Sequence, residues 1–333
     1  MTKQVSFPGL GLDFNINPTA FTLFGIDIQW YGIILATGIL AAFCLFYQNA
    51  VKKEQLDGDS ILNATLLIVP ISIVGARFFY VITSWDKFKD GSFIDMINIR
   101  AGGIAIYGAI IFGLITVLIY NWVKKTNPLT MLDALAPAVM LGQIIGRWGN
   151  FMNAEAYGWT EGVENLPWRM WLERVYIDGV YQPDLHFVHP TFLYESLWNL
   201  IGLTIIMLVL YRKKKFDGEI FCAYTAWYGL GRTFIEMLRT DSLYIVGNLK
   251  FSVFVGIVAF VAGVSLAFVF YKISKKVKAE LDEYTPAYTT ASINAPDDSD
   301  DEAESLDNLE ENDEDVLAEQ DMLDGDDTDI TEE

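Results

Sequence analysis

The chain has 333 residues, 52% of them apolar and 14% aromatic, with a mean hydropathy of +0.29, which is too apolar for an ordinary soluble protein of this size. The formal net charge of −20 is local: residues 297–333 carry 20 of the 43 acidic side chains and no Lys or Arg, leaving 23 acidic against 23 basic residues in the rest, with no basic footprint for nucleic acid. Two cysteines, Cys44 and Cys222, each inside an apolar run, exclude a disulfide framework, and the only histidines, His186 and His189, exclude a histidine-rich metal site.

Residues 1–29, with Pro8 and Pro18, read as an outer segment. Seven apolar stretches follow, at about 30–48, 61–83, 102–123, 131–152, 190–211, 218–239 and 249–271. A bilayer core of about 30 Å needs roughly 17–25 residues per helix, so each stretch can span it. Pro70 and Pro137 fall inside two of them, which neighbouring helices accommodate. No basic region precedes the first stretch, which reads as a retained helix rather than a cleaved signal. Loop 153–189 is the longest internal connection, and Tyr157, Trp159, Trp168, Trp171, Tyr176 and Tyr181 suit it to a membrane interface. No internal repeat is evident. From about residue 283 the chain has acidic clusters and few aromatics, and is expected to be disordered. The expected architecture is an all-α polytopic membrane protein. It comprises an outer segment 1–29, a seven-helix domain 30–275 with outer loop 153–189, and an acidic tail 283–333.

Basic residues set the expected orientation. Lys52, Lys53, Lys124, Lys125, Arg212, Lys213, Lys214, Lys215, Lys272, Lys275, Lys276 and Lys278 fall on one side, twelve in all. The other side has eight over more residues: Lys3, Lys87, Lys89, Arg100, Arg169, Arg174, Arg239 and Lys250. The N-terminus is therefore expected outside and the tail in the cytoplasm.

With that orientation, polar residues from six spans converge on the outer leaflet. Span 4 brings Arg147, Asn150, Asn153 and Glu155, followed by Gly158; span 6 brings Arg232, Glu236 and Arg239. Span 2 brings Arg77 and Tyr80; spans 1, 3 and 5 begin with Tyr31, Tyr107 and His189, Tyr194 and Glu195. Such residues are costly in hydrocarbon and mark sites that meet something charged. Arginine is the preferred fork for a phosphate. Plainer roles exist for several of these residues. Arg232 and Glu236, four apart, fit an internal ion pair that fixes the helix. Tyr31 and Tyr80 fit an interfacial belt, and Gly102, Gly103 and Gly108 fit close packing. His189-Pro190 fits a helix start. Asp133, at the cytoplasmic end of span 4, reads as a structural residue or a cap.

Gly146-Arg147-Trp148-Gly149-Asn150-Phe151-Met152-Asn153-Ala154-Glu155, followed by Gly158, resembles the signature of the prolipoprotein diacylglyceryl transferase family. His189-Pro190-Thr191-Phe192-Leu193-Tyr194-Glu195 resembles its His-Pro…Leu-Tyr-Glu element. Trp30-Tyr31-Gly32, Gly75-Ala76-Arg77, Gly102-Gly103 and Gly231-Arg232…Glu236…Arg239 follow in matching order, so that the resemblance covers about 20–275.

The resemblance implies transfer of the diacylglyceryl group of phosphatidylglycerol to the lipobox cysteine of a preprolipoprotein signal peptide, forming a thioether and releasing glycerol 1-phosphate. It implies a bacterial cytoplasmic membrane, an active site facing the outer leaflet, and neither cofactor nor metal. Arg147 is then expected to bind the phosphatidylglycerol headgroup, with Asn150, Asn153, Gly158, Tyr31, Arg77, Gly102, Gly103, His189 and Arg239 also lining the substrate site. Arg232 is expected to stabilise the developing phosphate charge and Glu236 to pair with it. The chain departs from many family members by carrying Tyr107 where they have histidine. A phenol of pKa about 10 is a poor base at neutral pH. Tyr107 is therefore expected to hydrogen-bond the headgroup, with Glu155 or Glu236 as proton acceptor. Two other classes compete. A small-anion transporter would place its polar site near the midplane, with repeat-related broken helices. A scaffold would work through its acidic tail.

Overall fold

The computed structural model describes residues 2–99, 102–240 and 250–293, and side chains as far as residue 281. The expected disorder from about residue 283 is not met over 283–293, where the last helix continues to Ile293, and 294–333 fall outside the described residues. The chain divides into two units, Met1–Ser274 and Lys275–Glu333. The second begins within the last helix, where Lys276 pairs with Glu280 at 3.7 Å on an exposed face.

The first unit is mostly helical. Its long helices are α1 (Trp30–Lys52), α2 (Gly58–Thr83), α4 (Ile106–Lys124), α5 (Pro128–Asn153), α6 (Thr191–Ile205), α7 (Glu219–Leu238) and the part of α8 (Phe251–Ile293) up to Ser274, with a short α3 (Phe93–Ile97) between α2 and α4. A π turn over Ile206–Leu210 and a 3-10 turn over Tyr211–Lys213 extend α6. Among the described residues, six helical segments are long and apolar enough to cross a membrane: Trp30–Lys52, Gly58–Thr83, Ile106–Lys124, Pro128–Asn153, Thr191–Lys213 and Phe251–Leu281. These properties make a polytopic membrane protein. Helix α7 is not among the six, because its twenty residues include Glu219, Arg232 and Glu236. Pro137 is buried inside α5 without ending it.

At the end holding the α1–α2 and α4–α5 turns, Phe46, Ala50, Ile61, Ala64, Val117, Tyr120, Met131 and Leu132 form one core. Asp57 starts α2 by accepting from the Ser60 amide at 2.7 Å. Asp133 does act as a cap, but for a helix other than its own. Its two carboxylate oxygens accept from the amides of Gly218 (2.7 Å) and Phe221 (2.8 Å), at the start of α7. Helix α5 is capped instead by Asn127, through the Leu129 amide at 3.0 Å.

Helices α6 and α7 are joined by a reciprocal tryptophan pair. The Trp198 indole N–H donates to the Trp227 carbonyl and the Trp227 indole to the Trp198 carbonyl, both at 3.0 Å, with the rings stacked at 4.5 Å. Gly231 leaves room for Trp198 and Gly202 for Trp227. Gly256 of α8 faces α7 closely: a Cβ there would lie 3.0 Å from the Gly229 carbonyl oxygen. Small residues at helix crossings let backbones approach in this way.

The outer segment and loop 153–189 add something the all-α expectation lacked. They build one antiparallel sheet from β1 (Lys3–Phe7), β2 (Leu12–Ile16), β5 (Met170–Leu172) and β8 (Phe187–Val188), in the order β2-β1-β5-β8. The register sets Lys3 opposite Ile16, Val5 opposite Leu172 and Met170 opposite Val188. Hairpins β3 (Thr19–Leu23) with β4 (Ile26–Gln29), and β6 (Val175–Ile177) with β7 (Val180–Gln182), flank it. Val5, Phe7, Ile16, Met170, Leu172, Val175 and Val188 form its core with Phe192 at the start of α6. The head thus rests on the C-terminal end of α5 and the N-terminal end of α6.

Candidate active site

Helix α5 ends beneath the head. Arg147 and Asn150, one turn apart, share a face, and the Arg147 guanidinium donates to Asn150 Oδ1 at 3.3 Å. Ala154 then takes a left-handed conformation (φ 46) and reverses the chain. The reversal brings Glu155 back over the helix end, where its Oε1 accepts from Asn150 (3.1 Å) and Asn153 (3.3 Å). The polar run of α5 is therefore a folded-back knot rather than a straight stripe.

Helix α7 contributes the second half. Arg232 Nη2 lies 2.7 Å from Glu236 Oε2, and Arg239 Nε lies 3.8 Å from the same oxygen. Glu195 of α6 joins the halves. Its Oε1 is 2.5 Å from Arg147 Nη2 and its Oε2 is 3.0 Å from Arg232 Nη1. The result is a continuous chain, Glu155–Asn150–Arg147–Glu195–Arg232–Glu236–Arg239, across three helices. The Trp198–Trp227 pair lies one turn from Glu195, and Gly231 directly precedes Arg232, so the same contact sets the register of this ion pair.

Beyond the exposed Glu155, exposure divides the rest of the chain by sign. The side chains of Glu195 and Glu236 are 3–4% exposed, whereas Arg147, Arg232 and Arg239 keep 20%, 15% and 12%. Glu195 and Glu236 form the covered back of the network, and the guanidiniums, together with the exposed Glu155, form the side that water or a ligand can reach. A buried charge needs such pairing to be tolerable. Preorganised guanidinium donors of this kind suit an anion with forked oxygens.

Other expected site residues lie in separate arrangements. Gly158 pairs with Arg239 in an isolated β-bridge, and its amide donates to the His189 carbonyl at 2.9 Å. A side chain on Gly158 would meet Leu238 O at 2.9 Å. His189 Nδ1 sits 3.1 Å from the Tyr194 hydroxyl, which accepts from the Trp168 indole at 2.8 Å. Burial pushes the His189 ring below its ordinary value, so it is neutral at pH 7. Tyr31 lies over Gly149, where a Cβ would come within 2.7 Å of its ring. The Tyr107 hydroxyl donates to Ser252 Oγ at 3.3 Å, and its ring packs edge-on against Phe251.

Arg77 is buried. Its guanidinium donates to the carbonyls of Asp95, Met96, Gly102 and Gly103, each at 2.7 Å. Gly102 and Gly103 have φ values of +79 and +76, a conformation that turns both carbonyls onto Arg77 and that side chains rarely adopt. These three residues form a loop clamp, apart from the ion-pair chain. Glu195 stood among the converging polar residues and in the His-Pro…Leu-Tyr-Glu element, but the sequence assigned it no role, since both of its partners come from other helices.

The family described as prolipoprotein diacylglyceryl transferase matches residues 18–269. Relatives named phosphatidylglycerol–prolipoprotein diacylglyceryl transferase include one from Lysinibacillus sphaericus, 44% identical over 267 residues, covering 78% of this chain and 94% of the relative. One from Streptococcus agalactiae is 43% identical over 252 residues, covering 75% and 94%. One from Clostridium kluyveri is 41% identical over 259 residues, covering 77% and 97%. With the matched region taking in both halves of the arginine–glutamate chain and loop 153–189, this chain belongs to the prolipoprotein diacylglyceryl transferase family.

Proposed function

We propose that this protein transfers the diacylglyceryl group of phosphatidylglycerol to the lipobox cysteine of a preprolipoprotein. The observation that carries the reading is the sorting of the ion-pair chain, with Glu195 and Glu236 covered and the three guanidiniums partly open, in a chain of this family. In the reaction the cysteine sulfur attacks the glyceryl carbon that bears the phosphate. A C–S bond forms, the C–O bond to phosphate breaks, the thiol proton goes to a base, and glycerol 1-phosphate leaves. Arg147 holds the headgroup phosphate, and Asn150 and Glu155 orient its guanidinium. Arg232 meets the charge that develops on the leaving phosphate, with Glu236 and Glu195 fixing its fork. Glu155 or Glu236 takes the thiol proton. Tyr107 hydrogen-bonds the headgroup, and Arg77 with Gly102 and Gly103 shapes the adjoining wall. Asn153, Gly158, Tyr31, His189 and Arg239 complete the substrate site.

In the bacterial cytoplasmic membrane, α7 serves as a seventh span, surrounded by its neighbours rather than by lipid. The head and the arginines then face the outer leaflet, where a lipobox cysteine arrives behind its signal-peptide helix. The domain covers 30–275, with residues 1–29 and loop 153–189 outside and the acidic tail from 283 in the cytoplasm. The test is incubation of the purified protein with phosphatidylglycerol and a lipobox peptide. A mass gain of one diacylglyceryl group on the cysteine is the expected result. An unchanged peptide, with folded protein in lipid, would overturn the reading.

A further inference from the structure

Helix α7 ends at the site, and a helix C-terminus is an awkward neighbour for a phosphate. Its unpaired carbonyls act as roughly half a negative charge. The last turn of α7 carries Glu236, and the chain leaves it in an extended conformation at Arg239 (φ −76, ψ 147), with no left-handed glycine to close the end. The terminal carbonyls find donors elsewhere. Leu238 O accepts from the Trp159 amide of the head at 2.6 Å. The Lys250 ammonium takes three more: Glu236 O at 3.0 Å, Met237 O at 3.3 Å and Arg239 O at 2.6 Å.

Lys250 reaches them from the residue that precedes α8, and it is only 8% exposed. Its Nζ also stands 5.9 Å from the centre of the Trp159 ring. A lysine is rarely buried to this degree unless its charge has a task. The ammonium sits where the α7 dipole is most negative, on the same turn whose side chains belong to the ion-pair chain.

We propose that Lys250 tunes the site for an anionic lipid donor. Its charge cancels the negative end of α7, and its three hydrogen bonds fix the backbone that carries Glu236 and Arg239. Without it, the field reaching the Arg232–Arg239 side would carry the uncancelled helix end, and a phosphodiester headgroup would be held less tightly. Lys250 is a positioning residue: it touches carbonyls, not the reacting atoms. The inference rests on the transferase reading above and adds a residue to it.

The test compares Lys250→Met, Lys250→Gln and Lys250→Arg with the wild type in phosphatidylglycerol-containing mixed micelles. Methionine keeps the length and loses the charge. Glutamine loses the charge but keeps donors, and serves if methionine fails to fold. Arginine keeps both. The expected result is a KM for phosphatidylglycerol raised roughly five- to thirtyfold in the neutral variants, the size of a charge–dipole interaction in a partly buried site. Their kcat stays within about threefold, and Lys250→Arg stays near wild type. Calorimetric binding of glycerol 1-phosphate should weaken by at least the same factor. An unchanged KM and unchanged phosphate affinity in a folded neutral variant overturn the proposal. So does a fall in kcat alone, which would make Lys250 a structural cap. Glycerol 1-phosphate binding is read without turnover. A wild type that binds it but transfers nothing would therefore refute the transferase reading, while the affinity ratio between variants still decides the role of Lys250.

Discussion

Among the described residues the bundle holds two largely buried charge networks, one at each end, and they are built on opposite plans. At the end that carries the α1–α2 turn, a single ammonium sits among three carboxylates. Lys214 Nζ lies 2.6 Å from Glu54, 2.8 Å from Asp133 and 3.4 Å from Asp217. Asp133 uses its remaining capacity on the amides of Gly218 and Phe221. At the head end, three guanidiniums line up on carboxylates that lie behind them. The first network turns inward around its cation and fastens the α6–α7 connection to α1 and α5. The second sets three cations against the two buried carboxylates Glu195 and Glu236. Burial and ion pairing alone therefore do not mark a site. What distinguishes the two networks is which sign is in excess, since Lys214, 16% exposed, is as reachable as Arg232 at 15%.

The sharpest way to break this contrast is at Arg147. Arg147→Ala should lower transfer by about 100- to 1,000-fold, the usual loss for one preorganised donor at a developing charge. Lysine should rescue poorly, because it offers a point charge instead of a fork. Near-normal transfer by a folded Arg147→Ala protein would remove this cation from the mechanism.

Glu195→Gln tests the covered side. It keeps the shape while taking the shared negative charge from Arg147 and Arg232. Losing charge assistance at one such bond is worth about 1.5–3 kcal/mol, so kcat should fall roughly ten- to hundredfold. Steady-state kinetics at saturating phosphatidylglycerol will show this, and unaltered kcat would reduce Glu195 to a packing residue.

Tyr107 lies at the margin of the arginine network. Tyr107→Phe should cost about tenfold in rate, at the lower end of the same range, and Tyr107→His should retain most activity. A wild-type rate for the phenylalanine variant would strip the hydroxyl of any part in transfer.

The smallest effect on activity is expected at the inward-facing network. Lys214→Met leaves three carboxylates facing one another and should reduce stability by about 3–5 kcal/mol. The activity of molecules that remain folded should stay within about twofold, since the two networks are distant and share no partner. This network also has a pH signature. Burial opposes the charge on Lys214, but Asp133 and Glu54 outweigh it and hold the ammonium above its ordinary value of 10.5. Its stabilising contribution is complete below pH 10.5 and is lost as pH rises through the higher folded value. Thermal melts between pH 9 and 11.5 should therefore fall more steeply for the wild type than for Lys214→Met. Parallel curves would show that the ammonium contributes nothing to the latch.

Hydrophobic length made most of the bundle legible. The stretches at 30–48, 61–83 and 131–152 became α1, α2 and α5 with shifts of a few residues. Charge placement pointed to Arg147 and Arg232, because a guanidinium in an apolar run is conspicuous in any one-dimensional reading. Three things were hidden by their nature. The head strands are two to five residues long, too short to show a period, and β1 finds β5 across more than 160 residues of chain. Glu195 draws its meaning from α5 and α7. Asp133 caps a helix that begins 86 positions later. Each depends on which helices become neighbours, and apolar length does not encode that.

The reciprocal tryptophans of α6 and α7 have an optical consequence. Two stacked indoles with centroids 4.5 Å apart and planes tilted by 22° share their excited states, and such a dimer gives a bisignate far-ultraviolet dichroism band that isolated indoles lack. The band's amplitude depends on the angle and separation of the rings. Because the same two helices carry Glu195 and Arg232, the protein holds a label-free gauge of its own ion-pair register, readable in lipid and in real time as donor and peptide are added.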